Sequence, residues 1–208
     1  MQKKVAIINY GMGNLQSVLN AFYFLNIPVA IAETVTDLQE ASHIVLPGVG
    51  AFGDGMKNLK ARGWISPLQT EVKEKKKPFL GICLGMQLLA TMGTEYGQHE
   101  GLNFVAGTVD RMPAKEPEVR IPHIGWNEVD FLKKDGLYAG VEKNTFYFVH
   151  SFAFHPKNVD VVSGICHHGE KFAASIEQEN ILATQFHPEK SQKAGLILLK
   201  NFANKKYA

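Results

Sequence analysis

In the stretch Phe79–Leu89, FLGICLGMQLL, a continuous apolar run passes into a helix-like run with no polar linker between them. Gly81 and Gly85 stand two residues to either side of Cys83. A short apolar run bounded by turn residues reads as a buried strand, and the spacing predicts a helix over Leu84 to Met92. A strand that turns directly into a helix lifts the residue at its apex above the carboxyl end of a sheet, and small neighbours leave that residue approachable. The helix that follows aims its N-terminal partial positive charge at the sulfur, which favours thiolate. A buried, inert cysteine packed between two glycines would leave the same five letters, because buried cysteine is common.

The segments around this junction obey the same alternation. VAIINY (Val5–Tyr10) is a β-branched run of the kind that parallel sheets bury on both faces. NLQSVLNAFYFLN has helical spacing through Leu15, Val18, Leu19, Phe22 and Leu25, Pro28 stops it, and VAIA resumes as a strand. HIVLPG is the next strand, followed by a loop with Gly48, Gly50, Gly53 and Gly55. Ser66, Pro67 and Gln69 open SPLQTEVKEKK as a helix start of capping-box type. Alternating elements of this kind predict an α/β fold, a mostly parallel sheet flanked by helices. The second half changes character: TFYFVHSFAF, VDVVSGICHHGEKFAASIE and NILATQFHPEK are strand-rich, so additional antiparallel strands are expected between Gly107 and Ile176. A helix, AGLILLKNFANKK, closes the chain.

The 208 residues suffice to bury a sizeable core as one domain, residues 1–208. A formal net charge of +2 singles out neither nucleic acid nor a membrane surface as partner. The one basic run, Lys75–Lys77, reads as a solvated helix end. Two cysteines make no disulfide framework. The apolar run near the N-terminus is broken by Asn9 and Gly11, unlike a signal peptide, and no stretch approaches the roughly 18 apolar residues of a membrane span. A cytoplasmic location is expected. ICHHGEKF reads as a hairpin turn rather than a metal site, because adjacent residues of an extended chain point to opposite faces. No metal and no cofactor is expected.

A thiolate nucleophile needs a base, and the base needs an orienting group. ATQFHPEK offers both: Pro188 pushes His187 toward extended geometry, in which His187 and Glu189 share a face. A surface turn with a solvated glutamate would carry the same His-Pro-Glu. Acyl transfer further needs backbone N–H groups aimed at a developing oxyanion. The N–H of Leu84 and the glycine-rich Gly48-Val49-Gly50 are the candidates, whereas no Gly-Lys-Ser/Thr follows the glycines as in a phosphate loop.

With these segments together, the chain resembles the class I (triad) glutamine amidotransferases, which pair a Cys elbow with a late His-x-Glu. It is most similar to the glutaminase subunits of imidazole glycerol phosphate synthases. The residues carrying the resemblance are YGMGNLQSV, LPGVGAFGDGM, GICLGMQLL, IPHIGWNEV, YFVHSF and QFHPEKSQ, which span Tyr10 to Gln192 in the family's order. PHIGWN and HPEKSQ are the more specific of these.

The resemblance implies a flavodoxin-like amidotransferase fold with Cys83, His187 and Glu189 as catalytic triad and Gly50 and Leu84 as oxyanion donors. It implies glutamine binding by Gly48, Gln87, Glu95, His150, Ser151 and Phe152. Phe152 stands where the family often carries tyrosine, so no hydroxyl contact is carried over there. The implied partner is a (β/α)8-barrel cyclase subunit in a heterodimer, faced by Asn14, Trp126, Tyr147 and Lys190. The implied reaction is hydrolysis of glutamine to glutamate and ammonia, with ammonia passed on to make imidazole glycerol phosphate in histidine biosynthesis. Two alternatives share this fold: the same glutaminase chemistry serving another synthase, such as one that aminates a sugar, and a catalytically inactive regulatory module.

Overall fold

The computed structural model describes residues 4–114 and 119–205. Its first half alternates β1 (Val5–Ile8), α1 (Leu15–Phe24), β2 (Val29–Ala32), α2 (Val35–Glu40), β3 (His43–Gly48), α3 (Phe52–Ala61), α4 (Ile65–Leu68), β4 (Phe79–Cys83) and α5 (Leu84–Gln87). The second half carries the short strands β5 (Met92–Gly93) and β6 (His99–Glu100) and then β7 (Gly107–Arg111). After these come β8 (His123–Phe131), β9 (Thr145–His150), β10 (Phe152–Pro156), β11 (Val162–His168), β12 (Glu170–Gln178), β13 (Ile181–Thr184) and α6 (Gln192–Asn204).

Nine strands join in the order β2-β1-β3-β4-β13-β12-β11-β8-β9. Pairings are parallel from β2 through to β13 and antiparallel from β13 to β9. The parallel part repeats the strand order of doubly wound flavodoxin-like sheets, which place ligands beyond the carboxyl ends of the strands. A smaller sheet, β10-β7-β5-β6, stands beside it.

Period-2 alternation explains why the central strands carry no polar side. Ala6 and Ile8 of β1, Ile44 and Leu46 of β3 and Phe79 of β4 enter one apolar layer with Phe52, Trp64 and Leu68. Val5, Ile7, Val45, Leu80 and Ile82 enter the other, with Phe22, Leu198 and Phe202. Helices therefore cover both faces, and every residue of β1, β3, β4 and β13 is buried.

Three local expectations are corrected. The helix over Leu84–Met92 is a single turn, Leu84–Gln87. The carbonyls of Leu88, Leu89 and Ala90 accept instead from the N–H groups of Leu102, Phe104 and Asn103 at 2.8, 2.9 and 3.0 Å, so a long-range segment takes the bonds that would have extended it. One turn of helix sums few peptide dipoles, which weakens the dipole argument for a thiolate. The segment at Ser66 does not start a helix by a capping box. Trp64 is the N-cap, with no side-chain cap bond, and its indole Nε1 donates to the Asn9 carbonyl at 3.0 Å, so docking of a buried tryptophan sets the start. The chain continues as a π-helical turn, Gln69–Glu74. Finally, Lys75–Lys77 is more than a solvated end: Lys75 and Lys77 each hold the buried Glu71 carboxylate at 2.7 Å, and Lys76 pairs with Glu179.

The glycines flanking Cys83 are required by close packing. A Cβ on Gly81 would lie 2.6 Å from the Gly85 carbonyl oxygen, and one on Gly85 would strike the Leu46 carbonyl oxygen. Gly85→Ala is expected to destabilise the protein by about 3 kcal/mol or to prevent folding, the range of severe overpacking. Denaturant unfolding of the variant checks this.

Candidate active site

Cys83 ends β4 at φ +54° and ψ −109°, backbone that a side chain rarely adopts. Its neighbour in register is Gly48 at the end of β3, and β13 on its other side leads to Gln185, Phe186 and His187. The parallel register thus assembles three strand ends from distant parts of the chain. Of these strand ends Cys83 lines a cavity of about 400 Å³, with Gly50, Gln87, Glu95, Val149 and Phe152, whereas His187 and Glu189 lie outside its lining.

His187 is buried and extended at φ −97° and ψ 97°, and its Nδ1 meets Glu189 Oε1 at 2.7 Å. Extended alternation does not produce this pair. Glu189 lies on a 3₁₀ turn, Pro188–Lys190, that folds the carboxylate back onto the ring. The turn is tied at both ends. The His187 N–H donates to the Tyr147 carbonyl at 2.9 Å, and Ser191 Oγ donates to the His187 carbonyl at 2.6 Å. The other ring nitrogen, Nε2, is buried and, among the described residues, is left to the Cys83 sulfur, with no oxygen or nitrogen partner. Burial alone would lower the basicity of His187, but the Cys83 sulfur and the Glu189 carboxylate outweigh it and raise its pKa to about 10. The arrangement is a sulfur nucleophile, an imidazole of raised basicity beside it, and a carboxylate that orients the ring, which suits nucleophilic acyl transfer.

The opposite wall is built by β9 and β10. The Cys83 thiol donates to the Val149 carbonyl, with sulfur and oxygen 3.8 Å apart. The Phe152 carbonyl accepts from His150 Nδ1 at 2.9 Å and from Gln87 Nε2 at 3.0 Å. His150 Nε2 then accepts from His123 Nδ1 at 3.0 Å, and His123 Nε2 accepts from Asn127 Nδ2 at 3.2 Å. The Phe152 carbonyl at one end can only accept and Asn127 Nδ2 at the other, fixed by the His167 carbonyl, can only donate, so each ring carries its proton on Nδ1 and stays neutral. Burial pushes His123 down to about 3 and His150 down to about 4, in keeping with that assignment.

Of the residues expected to hold substrate, Gln87, Glu95, His150, Ser151 and Phe152 line the cavity. Gly48 does not. It lies behind the wall, where a Cβ would strike the Tyr10 hydroxyl. Gly50 and Leu84, the expected oxyanion donors, both reach the cavity, and Gly50 has φ +112°. Glu95 also accepts from the Phe52 N–H at 2.9 Å, tying the cavity rim to the start of α3.

The sequence matches the family described as glutamine amidotransferase class-I over residues 6–205. The chain is a class I glutamine amidotransferase. This amidotransferase is 50% identical over 200 residues, 96% of its length and 98% of the relative's, to imidazole glycerol phosphate synthase subunit HisH 1 of Campylobacter jejuni subsp. jejuni. It is 45% identical over 208 residues to the HisH subunit of Geobacter sulfurreducens, covering 98% and 99% of the two chains. Against the HisH subunit of Aquifex aeolicus the identity is 47%, covering 97% of each. It belongs to the HisH family within the class I amidotransferases. Among solved structures, a chain of PurLQS from Thermotoga maritima superposes with a TM-score of 0.73 at 17% identity, covering 98% of this chain and 99% of that one, a likeness of fold.

Of the four residues expected at a partner face, three are linked by ring contacts. Trp126 and Tyr147 pair across β8 and β9 with ring centroids 5.9 Å apart, and Lys190 Nζ lies 5.8 Å from the Tyr147 ring centre. Asn14 is the N-cap of α1, its side chain accepting from the Ser17 N–H, and α1 packs against the turn that carries Lys190. Sequence reasoning missed Gln185, which is wholly buried and donates from Nε2 to Cys83 Sγ at 3.7 Å. Alternation along the extended chain from His187 back to Gln185 is the signal that points to it.

Glu189→Gln is expected to lower the pKa of His187, read by NMR titration of its ring. The raised pKa makes the ion pair's contribution to stability full below about pH 6.5 and lost as pH rises through about 10. The gap in melting temperature between wild type and Glu189→Gln should therefore shrink over that window. In glutamine hydrolysis the same variant should be slower than wild type yet faster than Cys83→Ala, since an orienting group does not itself react.

Proposed function

We propose that this chain is the glutaminase subunit of an imidazole glycerol phosphate synthase, working in histidine biosynthesis. Identity of 50% over 96% of the chain to a HisH subunit is the observation that carries the reading. The chemistry follows from the site. Cys83 thiolate attacks the side-chain amide carbon of glutamine, and the N–H groups of Leu84 and Gly50 stabilise the oxyanion. The His187 imidazolium gives its proton to the departing nitrogen, ammonia leaves, and a γ-glutamyl thioester remains. His187, now neutral, takes a proton from water, which attacks the thioester and releases glutamate and the Cys83 thiolate.

Ammonia is mostly ammonium at neutral pH, so it must reach its acceptor unprotonated. The partner in this reading is a (β/α)8-barrel cyclase subunit forming a heterodimer with this chain in the cytoplasm. Ile124, Trp126, Tyr147 and Val149 share one face of the β8–β9 pair, with Ile124 61% and Trp126 49% exposed. Val149 also lines the cavity at Cys83, so an apolar face runs from the site outward. A cyclase docked there would cover the exposed aromatics and receive ammonia without crossing bulk water. Among the described residues no helix is long and apolar enough to cross a membrane.

Copurification of this chain with the cyclase, followed by glutamate and imidazole glycerol phosphate assays, tests the proposal. Cys83→Ala should abolish glutamine hydrolysis while partner binding and ammonia-fed synthesis survive. Hydrolysis should also rise when the partner and an acceptor analogue are added. Gly48-Val49-Gly50 supplies the means: Val49 and Gly50 are exposed, and turning one peptide would complete or remove an oxyanion donor. One such donor is worth about 10²–10³ in rate. Equal rates for the chain alone, with partner, and with partner plus analogue would exclude that control.

A further inference from the structure

We propose that Gln185 is a catalytic residue of this site, an amide whose N–H stabilises the Cys83 thiolate, and that Gln87 holds it in the donating orientation. The inference rests on Cys83 being the nucleophile. Its strength is that the direction of each amide is forced. The Phe152 carbonyl can only accept, so the Gln87 group 3.0 Å from it must be Nε2. That same Nε2 lies 3.0 Å from the Gln185 side chain, which must present Oε1 to it. Gln185 then has only its Nε2 to turn toward Cys83 Sγ, 3.7 Å away. Flipping Gln87 would bring its oxygen against the Phe152 carbonyl, two acceptors, and flipping Gln185 would bring two amide N–H groups together. A backbone carbonyl on β10 thus determines, through two side chains, that a donor faces the sulfur.

The contacts on Cys83 act in opposite senses. The Val149 carbonyl accepts from the neutral thiol and has nothing to offer the thiolate, so it favours the protonated form. The Gln185 N–H favours the anion, and because Gln185 is wholly buried no water competes for it. With α5 reduced to one turn, this side-chain donor takes on much of what a helix dipole was expected to supply. A second consequence concerns Gln87. Both of its amide protons are engaged, by Phe152 and Gln185, so toward the cavity it offers the acceptor Oε1 and would select an N–H of the substrate.

The test is the pH dependence of Cys83 alkylation by iodoacetamide in the full chain, followed by mass spectrometry of the Cys83 peptide so that buried Cys166 does not contribute. Two variants are compared with wild type, Gln185→Met and Gln185→Glu. The second keeps an acceptor for Gln87 and nearly the same volume, so it reports even if the first fails to fold. The apparent pKa of alkylation should rise by about one unit in Gln185→Met, the scale of one hydrogen bond to a charged group, and by at least as much in Gln185→Glu. In the partner complex, kcat for glutamine should fall at least about tenfold while KM stays within a few-fold. Alkylation of Gln185→Glu that superimposes on wild type would overturn the proposal. Retention of glutaminase activity by Cys83→Ser would instead overturn the reading of Cys83 on which it rests.

Discussion

The site depends on one turn, the passage from β4 into α5 at Cys83. Holding a side chain at φ +54° and ψ −109° is costly, and the conformation persists because its surroundings leave no alternative. Gly85 is pressed against the Leu46 carbonyl and Gly81 against the Gly85 carbonyl, so the turn is clamped between β3 and its own strand. The apolar layers that bury β3, β4 and β13 on both faces keep that clamp closed. The strained turn is where packing energy from the whole sheet is converted into the position of one sulfur.

Around this point the two halves of the chain contribute different things. The parallel half supplies strand ends: Gly48 and Cys83 in register, and β13 delivering Gln185 and His187 alongside. The antiparallel half supplies a wall of backbone carbonyls, Val149 and Phe152, which accept from the thiol and from the Gln87 and His150 side chains. Tyr147 joins the halves, since its carbonyl holds the His187 N–H while its ring packs at the exposed apolar face. An element at the expected partner face is therefore one hydrogen bond from the candidate base. That short connection gives a physical route by which docking could alter the base.

Much of this was legible in the residues because it is local. The β-branched runs are buried strands, and the alternation of strand and helix specifies a doubly wound sheet. Gly-x-Cys-x-Gly marks a tight apex. The pairing of His187 with Glu189 was expected for the right residues but by the wrong geometry, because nothing in His-Pro-Glu announces that Pro188 opens a 3₁₀ turn. The long helix after Cys83 failed for a related reason. Helical spacing describes what Leu84–Met92 could bury, and says nothing of Leu102–Phe104 arriving to take its carbonyl groups.

What the sequence by itself determined is the family, the parallel part of the sheet, and which thiol, imidazole and carboxylate are the candidates for the site, each a matter of residue type and short-range spacing. What only the tertiary structure decided is orientation. The direction of the Gln87 and Gln185 amides, the contact of the His123 and His150 rings, and the withdrawal of Gly48 behind the cavity wall are all set by partners distant in sequence. A side chain's composition fixes which hydrogen bonds it can make. Which of them it does make depends on a carbonyl that folding brings within 3 Å, and no local pattern records where that carbonyl will be.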